Sequence, residues 1–522
     1  MKKMLIGAGL LLFFFSASRA QETVDMQMMK KIKDEEKNNS QVTMIAHNLT
    51  DVCGPRLTNS PGYNRALDWV TQTLQAWGLQ NAGREAWGEF GRGWSTEGSY
   101  LAMKQPYYES IIAYPVAWTN GTKKTITADV ILVDKLDSAT INKLGKNIKG
   151  KIIMEKANNT KLQSAFKPFA TRYDAAALDT LPDDYMLTKE QLDFFLPYVS
   201  KEYKTKLYLQ SKGAAGLLSC SSRRDGTIVV DGTPGYAKGY DATLPEMVID
   251  KEDFLKLQRL LQDNKPVQVE MNAQNKFYDN DLTGYNVVGE IPGTDPGLKD
   301  QVVIIGGHLD SWHSGTGATD NGAGCIVMME AMRILKTLNV QPKRTIRIAL
   351  WGGEEQGLYG SFGYVKKHYG DPKDMVLKPG QQLVSAYYNL DNGSGKIRGI
   401  YTQNNDKVKD IFKAWLAPFA DMDATGVTNS NTGSTDHLSF DAVGIPGFQF
   451  IQDPLEYETR THHSNMDNYD HLSIEDLQQA AAVRVGRMGE DPRRVCVLDD
   501  PALAQDGDVI AGRSEERRVG KE

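Results

Sequence analysis

Beyond Tyr285 the chain takes on a repeating texture in which short apolar runs alternate with stretches of helical periodicity. Gln301 to Ile305, Thr345 to Leu350, Leu383 to Leu390 and Gly447 to Ile451 read as strands. Gly322 to Leu338, Leu358 to His368 and Asp406 to Phe419 read as helices between them. Alternation of this kind predicts an α/β fold: a mostly parallel, mixed sheet sandwiched by helices. Such sheets collect ligands beyond the carboxyl ends of their strands. The polar residues that follow each run are therefore the first place to look for chemistry.

Three runs end in glycine-bearing turns that carry an imidazole or a carboxylate: GGHLDSW with His308 and Asp310, LWGGEEQG with Glu354 and Glu355, and YNLDNG with Asp391. Two further stretches, ATDNGAG with Asp320 and THHSNMD with His462 and His463, complete an ordered set. A lone histidine after a strand is usually structural, and Asp320 before a helix reads first as an N-cap. Adjacent Glu354 and Glu355 are in isolation as consistent with a solvated acidic loop, and Asp391 with an ordinary turn. Together, however, the residues supply two imidazoles and four carboxylates, His308, Asp320, Glu354, Glu355, Asp391 and His463. That donor set holds two metal ions and leaves a base. Asp320 has two oxygens with which to bridge, and Asp310 is placed to accept the second imidazole N–H of His308 and fix its tautomer. Adjacent carboxylates repel unless cations or protons compensate, so one of Glu354 and Glu355 is expected to ligate and the other to act as base. His462 remains a rival to His463 on spacing alone.

The body around this set is ordinary globular material: 522 residues, 40% hydrophobic, enough for about two or three domains. A net charge of −6 and the lack of a basic stripe set nucleic acid aside as a partner. Lys2 and Lys3, the apolar run Met4 to Phe15 and the small residues Ser18 and Ala20 form a secretory signal pattern over residues 1–20, against an uncleaved anchor as the competing reading. Export to the periplasm or the extracellular space is expected, with no membrane span after signal removal, because no later run approaches ~20 apolar residues. The four cysteines are far apart, form no CxxC pair and receive no function, Cys325 reading as a buried small hydrophobe.

Residues 21–121 and 277–483 are assigned to one catalytic domain, with an amphipathic helix over Asn64 to Leu79. Between them, residues 122–276 change to short β-branched runs with small helices, an inserted β-rich module expected to shape access. Residues 484–522 form an atypical, arginine-rich tail that is expected to be disordered or non-native.

The five motifs in this order resemble the co-catalytic di-zinc exopeptidases, the family of aminopeptidase Y, plasma glutamate carboxypeptidase and the bacterial secreted leucine aminopeptidases. The likeness runs from about Thr50 to Ala482; CGPRLTNSPGYNRA resembles the family's opening helix and the insert resembles a protease-associated domain. Carried over by motif, the resemblance implies that His308 and Asp391 bind one Zn2+, Glu355 and His463 the other, and that Asp320 bridges both. It favours His463 over His462 because Ser464 and Asp467 stand where the family pattern requires, implies a cis peptide after Asp320, and makes Glu354 the base toward a metal-activated water. The implied function is exported, zinc-dependent exopeptidase action on short peptides, with the preferred terminus, side-chain preference and oligomeric state left open, a homodimer included. A glutaminyl cyclase-like acyl transfer on the same fold and a non-catalytic receptor-like protein are the alternatives. His313 is expected to touch substrate or solvent, His437 to start a helix near the cleft with Asp436 as its cap or support, and His47, His368 and His471 have no companions.

Overall fold

The computed structural model describes residues 24–158, 168–183 and 189–486. The signal pattern and most of the arginine-rich tail lie outside them.

Four strands form the parallel centre of an eight-stranded mixed sheet, in the spatial order Thr345–Trp351, Val302–His308, Val384–Asn389 and Gly447–Gln452. Their extensive burial explains why they read as largely apolar runs, broken only at residues such as Arg347, Ser385 and Gln449. Antiparallel Thr283–Ile291 and Gln80–Glu89 extend one side, and Ile397–Tyr401 with Gly426–Thr428 the other. The helices Pro61–Ala76, Ala323–Thr337 and Ile474–Gly486 cover one face over a core that includes Val70, Leu74, Ile326, Met329, Ile348 and Phe448. Tyr359–His368 and His437–Asp441 cover the other, over Trp351, Tyr364, Tyr387 and Phe440. Ser60 caps the Pro61–Ala76 helix by accepting the Tyr63 N–H, with proline at the first helical position.

The residues between the first two strands of this sheet build a second eight-stranded sheet, from Gly93–Gln105 to Gln268–Tyr278. It starts upstream of residue 122, because Gly93–Gln105, Glu109–Ile111 and Ala113–Pro115 all pair within it. Its hydrophobic core, with Met103, Ile152, Met154, Met247, Phe254, Leu257 and Met271, is distinct from the two clusters of the first sheet. The Lys251–Gln262 helix packs there, capped by the Asp250 carboxylate.

At the C-terminal end the closing helix continues through Gly486, so the ordered fold runs past residue 483, where the tail was expected to begin. Arg484 is fully buried, its guanidinium 4.9 Å from the Tyr388 ring centroid and 5.0 Å from that of Phe450. Among the described residues no helix is long and apolar enough to cross a membrane. None of Cys53, Cys220 and Cys325 forms a disulfide, and Cys325 is wholly buried.

Candidate metal centre

His308 is the last residue of its strand and points from the carboxyl edge of the sheet. Its Nδ1 donates to the backbone carbonyl of Asp310 at 2.9 Å, while the Asp310 carboxylate stands 3.7 Å away. The tautomer is thus set by the main chain, and the Asp310 side chain is used differently from the expected contact. Asp310 Oδ1 accepts the Glu354 N–H at 3.2 Å, and Oδ2 accepts the Thr58 hydroxyl at 2.9 Å and faces the Glu355 N–H at 3.4 Å. It holds the glutamate turn from beneath. That turn follows Trp351 through Gly352 and Gly353; a Cβ on Gly352 would meet the Tyr63 hydroxyl at 1.9 Å, and Gly353 has φ of 75°.

Asp320 sits in a turn whose Asp320–Asn321 peptide is cis. The turn is secured from both sides. Asn321 donates to the Leu390 carbonyl at 2.8 Å and accepts the Gly324 N–H at 2.9 Å. The buried Asp467 carboxylate accepts the N–H groups of Thr319 at 2.6 Å and Asp320 at 3.1 Å. Arg56, fully buried, donates to the carbonyls of Leu309, Thr316 and Gly317 and so ties down the connector between His308 and Asp320.

The two oxygens of Asp320 face different histidines: Oδ1 is 3.3 Å from His308 Nε2, and Oδ2 is 3.2 Å from His463 Nε2. Asp391 Oδ1 lies 3.3 Å from His308 Nε2, and Glu355 Oε2 lies 2.9 Å from His463 Nε2. Glu354 Oε2 is further off, 3.9 Å from His308. All the residues of the expected set therefore meet at one place. His462 stacks beside His463 with ring centroids 3.8 Å apart, but its Nε2 reaches only Asp320, at 3.8 Å, and its Nδ1 faces Glu458. Among the described residues, two groups of ligand atoms are close enough to hold an ion, His308 with Asp320 and Glu355, and Asp320 with His462 and His463, and they share Asp320.

Asp320 Oδ2, Glu355 Oε1 and Asp391 Oδ1 are buried and have no hydrogen-bond partner. Burying carboxylate oxygens without a donor is costly, and cations placed among them remove that cost. The donors are imidazole nitrogen and carboxylate oxygen, which suit zinc. Burial, with the Asp391 and Asp436 charges adding to it and His308 opposing, pushes Glu354 well above the usual carboxylate range; burial and the Asp320 charge do the same to Glu355. Asp320 goes the other way: burial opposes, but the His308 contact and the His463 and His462 charges hold it well below that range.

Several supporting residues were not expected from the sequence. Thr435 donates its hydroxyl to Asp391 Oδ2 at 2.6 Å, leaving Oδ1 as the free oxygen, and accepts from Asn389 Nδ2 at 2.9 Å. Its signal was the polar GSTDHLSF stretch, where attention fell on His437 and Asp436. Asp436 precedes the His437–Asp441 helix without a side-chain capping bond, and burial pushes its carboxyl up to about 8. His437 is buried, with Nε2 donating to the Thr432 carbonyl at 2.8 Å. His313, expected to touch substrate or solvent, donates from Nε2 to the Pro115 carbonyl at 2.7 Å and meets the Trp94 ring edge-on.

Comparison with known proteins places this geometry. Residues 286–486 match the model of peptidase family M28. Carboxypeptidase Q of Bos taurus is 27% identical over 440 residues, covering 83% of this chain and 82% of that protein. Leupeptin-inactivating enzyme 1 of Streptomyces exfoliatus is 32% identical over 171 residues, covering 33% of this chain and 36% of that protein. Among solved structures, a peptidase M28 precursor from Shewanella amazonensis SB2B superposes with a TM-score of 0.65 at 22% identity, over 89% of this chain and 96% of that one. The aminopeptidase from Aneurinibacillus sp. strain AM-1 gives 0.53 at 19% identity, over 90% and 98%. These structures share the fold. Residues 286–486 thus carry the match to the M28 peptidases, and the protein is a zinc-dependent exopeptidase.

Proposed function

We propose that His308 and Asp391 hold one Zn2+, that Glu355 and His463 hold a second, and that Asp320 bridges them. The observation that carries this reading is the division of Asp320 between two histidines on different loops, one oxygen to each. His463 is preferred to His462 because its Nε2 meets both Asp320 and Glu355, whereas His462 is divided between Asp320 and the exposed Glu458. Bound zinc supplies Lewis acidity, polarising a peptide carbonyl and lowering the pKa of water. Glu354, buried beside His308 and outside the closest ligand contacts, accepts a proton from the attacking water and returns it to the leaving amine. Asp310 aims Glu354 and Glu355 through their backbone N–H groups.

The substrates are short peptides cut near a terminus. The relatives' names include both a carboxypeptidase and an aminopeptidase, so the names select neither end. The second sheet is a protease-associated-like module that narrows the entrance, on the strength of its separate core and of the contacts its 221–230 segment makes with the His463 loop. Export rests on the signal pattern in residues 1–20.

The deciding experiment is zinc content measured alongside hydrolysis of a panel of short peptides. Two tightly bound zinc ions per chain, with hydrolysis abolished by chelation and restored by zinc, are expected. A single zinc with cyclisation of N-terminal glutaminyl peptides would replace this reading by the acyl-transfer one.

A further inference from the structure

The connection from the Tyr359–His368 helix to the strand Val384–Asn389 carries an apolar tip that faces water. Gly370–Asp371 and Val376–Leu377 pair as a short antiparallel hairpin. At its turn Met375, Val376 and Leu377 are 37%, 63% and 46% exposed, and Leu383 is exposed at its base. Neighbouring large apolar side chains left in solvent forgo the stabilisation that burial would give them, and such clusters mark surfaces that meet something else. Met375 also has a φ of 52°, a left-handed turn position that glycine or asparagine fills at less cost.

Lysines bracket this tip. Lys373 precedes it, Lys378 follows it, and Lys366 and Lys367 lie in the last turn of the preceding helix. Lys378 Nζ donates to the carbonyls of Lys366 at 2.9 Å and Lys367 at 2.7 Å, which holds its charge at the base of the hairpin. Lys366 pairs with Asp371 at 2.7 Å and Lys367 with Glu85 at 2.8 Å, while Asp374, the carboxylate at the turn, accepts the Val376 N–H at 2.9 Å. Four lysines thus meet three carboxylates, which leaves this corner positive on a chain of net charge −6. Apolar side chains between ammonium groups complement an anionic lipid surface, because the first enter the boundary of the acyl chains and the second, on flexible stems, reach the headgroups. A second copy meeting the same face about a two-fold axis would instead bring lysine against lysine.

The position of the hairpin fits such a contact. It joins the end of a helix to the first residue of a central parallel strand, so it lies at the amino edge of the sheet. His308, Glu354 and Asp391 lie at the carboxyl edge, where each follows or ends its strand. A surface engaged at the hairpin leaves the site open to solvent.

We propose that the 370–383 hairpin docks the protein reversibly on anionic lipid membrane, with Met375, Val376 and Leu377 entering the surface and Lys373 and Lys378 meeting the headgroups. The test is co-sedimentation of residues 21–522, which lack the apolar run Met4–Phe15, with vesicles of phosphatidylcholine alone or with one third phosphatidylglycerol, at low and high salt. The wild type is expected to pellet with the anionic vesicles, to bind the neutral ones weakly and to be released by salt. V376S/L377S should lower the partition on the order of 10-fold, and K373Q/K378Q about 25-fold, at about 5-fold per lysine. Both should keep the Tm of the wild type, and Y108S, which removes an exposed ring of the second sheet, should bind as the wild type does. A wild type that stays in solution with anionic vesicles, equal binding to both kinds of vesicle, or V376S/L377S pelleting as fully as the wild type would overturn the proposal. So would a wild-type dimer in sedimentation velocity that V376S/L377S turns into monomer, an outcome that assigns the hairpin to a second copy.

Discussion

Asp310 Oδ1 accepts the backbone N–H of Glu354 at 3.2 Å, so a residue two positions after His308 fixes the turn that carries the proposed base. Asparagine in its place offers one acceptor oxygen where the carboxylate offers two, and turns N–H groups toward N–H donors. D310N is expected to lower kcat by roughly 10- to 100-fold and to weaken zinc binding over a similar range. Steady-state kinetics and chelator competition on the same preparation check both effects; an unaltered kcat would remove Asp310 from the positioning role.

E354Q keeps the shape of the side chain and removes its ability to take a proton. It is expected to retain two zinc ions while kcat falls by about 100- to 10,000-fold. Zinc analysis with single-turnover hydrolysis separates the two properties. Retention of wild-type kcat would transfer the base role elsewhere.

The adjacent imidazoles can be told apart by metal content. H463A removes the nitrogen that meets both Asp320 and Glu355 and is expected to lower zinc to one tight equivalent. H462A should keep two, because the nitrogens of that ring reach only Asp320 among the proposed ligands, its contact with His463 being ring stacking. The reverse pattern would exchange their assignments.

Far from the centre, Glu36 of the Met26–Asn39 helix is buried near Glu330 and Arg333 of the helix Ala323–Thr337, with Glu35 alongside. Burial first, then the Glu330 charge, pushes Glu36 from its ordinary 4.5 up to about 8, with Arg333 opposing. A carboxyl raised by folding contributes stability that is complete below its unfolded pKa and is lost as pH rises through the folded one. The wild type should therefore lose stability between about pH 5 and 9 that E36Q keeps. Urea unfolding of both proteins across that range checks the sign: the E36Q advantage must grow with pH.

The central sheet was legible because each buried parallel strand is a largely apolar run closed by a polar stretch, and the stretches after three of them carry His308, Glu354, Glu355 and Asp391. Asp320 was singled out by register and His463 by resemblance, since local spacing explains Asp320 equally well as a cap. What stayed hidden depends on contacts between segments distant in sequence. The Thr435 hydroxyl reaches Asp391 across 44 residues, and Arg223 reaches the His462 carbonyl across 239. No periodicity encodes such pairings. Asp310 was expected to accept the second N–H of His308 through its side chain, but its own main-chain carbonyl lies closer to the imidazole than the carboxylate does. The end of the ordered fold was set too early because Arg484, which reads as a surface residue, is buried over Tyr388 and Phe450.

The bridge between Val229 and Ser464 has a consequence for how the molecule can be built. One edge of the His463 loop is completed by main chain from the 221–230 segment, so that loop has no finished shape until these two distant stretches have come together. A shortened version lacking residues 93–278 would keep every proposed ligand in its sequence and lose the backing that orients His463. On the proposed two-zinc reading, competence for metal thereby depends on both sheets together, and exchanging residues 93–278 with those of a relative would carry along part of the backing of His463.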